Sequence, residues 1–118
     1  SCLKDTNRDV RLAALEALPV VSENGDERAI IAVTSSLEDT DRHIRLAALK
    51  ALPVVSEKGD ERAIIAVTSS LEDTDRHIRL AALKALPVVS EKGDERAINA
   101  VTSCLKDTNR DVRLAALE

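Results

Sequence analysis

Apolar positions in this chain recur with a helical period. Behind Asp41, the residues Ile44, Ala47, Ala48, Ala51, Leu52 and Val55 fall at i, i+3, i+4, i+7, i+8 and i+11, which is one stripe of an α-helix. Leu46, Leu49 and Pro53 widen the stripe, so this helix is expected to be buried on more than one side. Asp41 is the expected N-cap, because a short carboxylate can accept from the free amides of a first turn. Pro53 offers no N–H to the carbonyl of Leu49, and a kink or early loosening is expected there. Ser56-Glu57-Lys58-Gly59 reads as the stop, with Gly59 free to take a positive φ. A second, shorter helix follows, capped by Asp60, with Glu61 near its positive end and Ala63, Ile64, Ala66, Val67, Ser70 and Leu71 as its packing face.

This two-helix pattern is one copy of a repeat. Shifted by 34 residues, the chain superimposes on itself: residues 36–69 and 70–103 differ only at Ile65 against Asn99, and residues 2–35 match 36–69 at 27 of 34 positions. Residues 104–118 then repeat 2–16 without a change. The sequence therefore predicts one solenoid domain over 1–118, with repeats 2–35, 36–69 and 70–103 and a partial fourth at 104–118. Such near-identity points either to recent duplication or to design from one consensus unit. Helices this short are unstable alone in water, so their stability must come from stacking on neighbouring copies.

Composition sharpens the fold and removes whole classes of function. Phe, Trp, Tyr and Met are absent, yet 44% of the chain is hydrophobic, so Ala, Leu, Val and Ile do all the packing. That suits closely spaced helices and leaves nothing for aromatic stacking. A net charge of −4 argues against nucleic acid as a partner, since duplex binding needs clustered Lys and Arg. No apolar run approaches membrane-spanning length, and Ser1-Cys2-Leu3-Lys4-Asp5 is no signal peptide; a cytoplasmic location is the expectation.

Catalytic and metal chemistry find little support. His43 and His77 are equivalent residues one repeat apart, Asp9 holds the same place in the first unit, and a metal would need further converging ligands. Cys2 and Cys104 stand three repeat lengths apart at sites where Ser36 and Ser70 also serve. They read as small packing residues or, alternatively, as partners in an intermolecular disulfide, because stacked units keep them apart within one chain. Thr68-Ser69-Ser70 lacks a nucleophile context, the glycines 25, 59 and 93 form no phosphate loop, and the acidic residues recur as caps in every unit. No catalytic residue, cofactor or small-molecule substrate is expected.

At the level of motifs, Leu37-x-Asp39-x-Asp41-x-x-Ile44-Arg45-x-Ala47-Ala48-x-x-Ala51-Leu52, followed by Gly59-Asp60-Glu61-Arg62-Ala63-Ile64, resembles the HEAT-like repeat of the phycobilisome-lyase type over the whole chain. The tetratricopeptide and ankyrin patterns, close in length, need residues that are missing. The resemblance implies an all-α, right-handed superhelix of antiparallel helix pairs, first helices convex and second helices concave. It also implies a structural ladder of an Asp before each first helix and an Arg inside it: Asp5 and Arg11, Asp39 and Arg45, Asp73 and Arg79, Asp107 and Arg113. Pro53 in place of the usual Gly and a longer inter-helix loop depart from the pattern and put the curvature in question. HEAT-like hydroxylases carry adjacent His-Glu pairs, which this chain lacks. A bilin-lyase-like activity would rest on fold analogy alone.

The functional expectation is a non-enzymatic scaffold for protein partners or for copies of itself. Opposite the packing stripe, each second helix carries a row: Arg28, Ile31 and Ser35, then Arg62, Ile65 and Ser69, then Arg96, Asn99 and Ser103. Ile31 and Ile65 on a polar face are apolar anchors for a peptide or protein, or are half covered by a neighbouring helix; near-complete burial of Ile65 would end the first reading. Self-association is the other expectation. Val10, Ala13, Ala14 and Leu18 at one end and Val112, Leu114, Ala115 and Leu117 at the other are expected to show stacking surface for a head-to-tail oligomer. The identical segments 2–16 and 104–118 could also exchange between chains.

Overall fold

The computed structural model describes residues 7–118. They form seven helices: α1 Arg8–Val21, α2 Glu27–Ser36, α3 Arg42–Val55, α4 Glu61–Ser70, α5 Arg76–Val89, α6 Glu95–Cys104 and α7 Arg110–Leu117. The described residues contain no strand. Capping explains where each helix starts. Asp41 accepts from the His43 N–H and Asp60 from the Ala63 N–H, and both caps have extended backbone. Asn7 and Asn109 cap α1 and α7 in the same way.

Pro53 does not loosen its helix early, contrary to expectation. α3 runs through it to Val55. The last turn is held by Ser56, whose N–H and hydroxyl both donate to the Leu52 carbonyl, at 3.0 and 2.7 Å. The glycine that follows has a structural task of its own. Gly59 adopts φ +91°, open to glycine at low cost, and its N–H donates to the Val89 carbonyl of the next unit at 2.7 Å. Gly25 repeats this with Val55 at 2.7 Å, and Asn24 Nδ2 adds bonds to the carbonyls of Val54 and Ser56. Carbonyls at the end of one first helix are thus satisfied by the loop of the preceding unit.

The helices lie in two layers within a body of 39 × 26 × 16 Å. First helices α1, α3, α5 and α7 pack side by side; second helices α2, α4 and α6 form the other layer. Each second helix packs chiefly on the first helix of the following unit rather than on its own predecessor. Extensive contacts therefore run only within a unit or between adjacent units, which makes this an α-solenoid. Ala48, Leu52, Val55, Ile64 and Val67, with Ala82, Leu86, Val89, Ile30 and Val33 at equivalent places, are buried and fill the space between layers. Alanine on the first helices lets the backbones approach closely, which is why no aromatic residue is needed.

One expected end surface is corrected. Val112 is fully buried, because its face of α7 is turned inward, whereas Leu114 and Leu117 are exposed. At α6, Ile98 is 53% exposed although its equivalent Ile64 is 1% exposed. The difference follows from the neighbour: α4 packs on α5, which runs to Val89, whereas α6 packs on α7, which ends at Leu117 and has no counterpart of the Ala85–Val89 stretch.

Candidate interaction face

The second-helix layer presents the row singled out in the sequence. Ile31 and Ile65 are each 52% exposed, so half of each side chain is open to solvent. The helix positions explain this: Ile30, Val33, Ile64 and Val67 take the inward stripe, and the residue beside each isoleucine of that stripe must point away. Arg28, Arg62, Arg96, Ser35, Ser69, Asn99 and Ser103 are exposed on the same layer.

Grooves open between adjacent second helices. The one between α2 and α4, about 600 Å³, includes Ile65, Ser35, Ser69, Arg62 and Glu38 among its walls. The one between α4 and α6, about 510 Å³, is lined by Ser69, Glu72, Asn99 and Ser103, with Cys104 and Asp107 at one end. Hydroxyls of Thr34 and Thr68 donate back to the carbonyls of Ile31 and Ile65.

Charge on this face is distributed in a way the sequence did not reveal. Arg62 Nη1 reaches Glu27 Oε1 of the preceding unit at 3.2 Å, and Arg96 Nη2 reaches Glu61 Oε1 at 3.3 Å. Arg28 lies 3.3 Å from Asp26, the nearest of the helix caps. Glu38 and Glu72, just past the ends of α2 and α4, have no ion-pair partner among the described residues. A pairing across 35 residues becomes legible only once the stacking order is known.

The Asp–Arg ladder is present with an offset of one unit. Arg45 Nη1 donates to the backbone carbonyls of Asp39 and Thr40, and its carboxylate partner is Asp73 of the following unit, with Nε at 3.0 Å. Arg79 meets Asp107 through two bonds of 2.9 and 3.1 Å, and Arg11 Nε lies 3.2 Å from Asp39. Arg113 donates to the Asp107 carbonyl, and Asp5 lies outside the described residues. Burial opposes the charge of Asp107, but the Asn109 N–H and the Arg79 guanidinium outweigh it and hold the carboxyl below its usual range. Each rung therefore joins a first helix to the loop that opens the next unit.

Other singled-out residues take plainer places. His43 is exposed, with Nδ1 3.2 Å from the capping Asp41. The described residues contain no group of three or more metal-ligating side chains. Cys104 is buried like Ser36 and Ser70; burial first, then Asp107, pushes its thiol up, with Arg79 opposing. Cys2 lies outside the described residues, so the disulfide alternative is not placed. No helix among the described residues is long and apolar enough to cross a membrane.

The stacked pairs, the loop-to-helix stitching and the repeating ladder fit one family, and the comparison with family models agrees. A model of HEAT repeats matches residues 1–87 and again 53–118. The chain belongs to the HEAT-repeat family. Curated proteins provide no match. HEAT repeats generally serve as scaffolds for protein interactions. In this HEAT-repeat chain, an apolar row not described by the sequence pattern also lies on the first-helix layer: Val20, Val54 and Val88 are all exposed. Their signal is the Pro-Val-Val triplet, in which Val55 and Val89 turn inward and the valine before each turns out.

Proposed function

We propose that this chain is a non-enzymatic scaffold that binds a peptide or protein segment on its second-helix face. The observation that carries the reading is the half-exposure of Ile31 and Ile65 at equivalent places on successive helices, with Ile65 lining the groove between α2 and α4. A half-exposed isoleucine in a solvated face forgoes burial free energy of about 1 kcal/mol, which a bound partner would recover. The test is selection of binders from a displayed peptide library, followed by competition with two variants. I31S/I65S should abolish binding of most selected peptides, whereas V20S/V54S/V88S should leave it intact. Binders indifferent to I31S/I65S would contradict the reading.

Self-association is a second reading, favoured by one contrast. Val21 is 77% exposed where Val55 is buried, and Ile98 is open where Ile64 is closed. Copies of this 118-residue chain that stack head to tail would cover both. Light scattering over a concentration series should then show mass rising with concentration, and I98S/V21S should return it to monomer. Monomer at every concentration would contradict it.

A further inference from the structure

The second-helix face is not electrically balanced, and the imbalance names a partner chemistry. On units one and two its arginines are already engaged: Arg62 by Glu27, Arg28 by Asp26. The carboxylates of Glu38 and Glu72 are exposed and have no ion-pair partner among the described residues. They also follow directly on the C-terminal ends of α2 and α4, which carry partial negative charge and have no basic residue in their last turns. An apolar row, Ile31 and Ile65, therefore runs beside two carboxylates, Glu38 and Glu72, that have no ion-pair partner among the described residues.

The spacing of the two rows selects the shape of the partner. Ile31 to Glu38 and Ile65 to Glu72 are each seven residues, about 10 Å along a helix at 1.5 Å per residue. A helix with its side chains is about 10–12 Å across, so one lying over the second helices touches both rows. Neighbouring helices are spaced by roughly 8–10 Å, close to the rise of seven helical residues, so anchors at i and i+7 of the partner meet Ile31 and Ile65.

Resting on the reading that this face binds, we infer that its partner is an amphipathic helix with apolar residues seven apart and Lys or Arg along the flank that faces Glu38 and Glu72. The third unit gives the complex a direction. Asn99 replaces the isoleucine and Lys106 replaces the glutamate, so the end of the partner over α6 carries polar and acidic residues instead. A uniformly acidic helix is repelled by the first two units.

The test uses two synthetic 18-residue helical peptides of the same leucine stripe, one with lysine on the remaining positions and one with glutamate, titrated by fluorescence anisotropy into the intact chain. The lysine peptide is expected to bind and the glutamate peptide to bind at least tenfold more weakly. E38Q/E72Q should weaken the lysine peptide about fivefold, in keeping with two partly solvated ion pairs. I31S/I65S, which keeps all charges, should abolish binding; circular dichroism of each variant checks that it folds. Equal binding of the two peptides, no binding of the lysine peptide, or indifference to E38Q/E72Q would overturn the basic-partner inference while leaving the isoleucine reading standing. Binding of the lysine peptide that survives I31S/I65S would overturn both.

Discussion

Arg79 and Asp107 stand 28 positions apart in sequence and meet through two hydrogen bonds of 2.9 and 3.1 Å. The same carboxylate accepts the Asn109 N–H at 2.8 Å, and the same guanidinium donates to the carbonyls of Asp73 and Thr74. One pair thus fixes the loop before α5, the loop before α7 and the distance between them. The two roles of Asp107 can be separated. D107N keeps an oxygen for the Asn109 N–H and loses the charge; D107A loses both. We expect urea unfolding to give a loss of about 1 kcal/mol for D107N and about 2 kcal/mol for D107A. Equal losses would mean that the turn bond contributes nothing.

Acid should weaken the stack. The carboxyls of Asp75 and Asp107 are held below their usual range: burial opposes their charge, and backbone N–H groups together with Arg42 or Arg79 prevail. A folded pKa below the unfolded one means the folded state binds fewer protons. The stabilisation is therefore complete above about pH 4–5, the unfolded carboxylate range, and is lost as pH falls through the depressed values. The urea midpoint should be flat near neutral pH and fall below about pH 4, and D107N should make that fall shallower. A midpoint independent of pH down to the acid limit would contradict the assignment.

Glycine at the loop is needed for two reasons that differ by site. Gly25 and Gly93 have φ of +87° and +89°, so alanine at either should cost about 1–2 kcal/mol in backbone strain. A Cβ on Gly25 would also lie 2.8 Å from Glu57 Oε1 of the next unit, whereas one on Gly93 meets nothing. That glutamate side chain is flexible, so G25A should exceed G93A by only a few tenths of a kcal/mol. Thermal unfolding of the two variants measures the difference; a smaller loss for G25A would count against the close approach.

Much of this was legible in the sequence, and the reasons are physical. Inward and outward positions follow from a 3.6-residue period, so Ile64, Val67, Ala48 and Leu52 could be assigned from spacing alone. Asp41 and Asp60 as caps are local chemistry between residues two or three apart. The ladder residues were legible by family resemblance, but their offset was not. Whether Arg45 takes Asp39 or Asp73 depends on how units stack, and one repeated motif fits either pairing. Arg62 with Glu27 was hidden for the same reason. Pro53 misled because only one bond, to the Leu49 carbonyl, is lost so close to the helix end, and Ser56 closes the turn beyond it with two bonds to Leu52. The burial of Val112 depended on which face of a short helix turns inward, and Leu114 and Ala115 offered the pattern no decisive contrast.

The central claim is that each unit is stable because it leans on the next one in sequence. Ile64 and Ile98 occupy the same place in near-identical helices and differ in whether a full neighbour lies alongside. The most direct measurement is therefore the unfolding free energy of I64A beside that of I98A. Ile64 is closed in, so I64A should cost about 2–4 kcal/mol, while I98A, half open to solvent, should cost under about 1 kcal/mol. Losses of equal size would show that local helix sequence, not the neighbouring unit, determines stability, and would contradict the account.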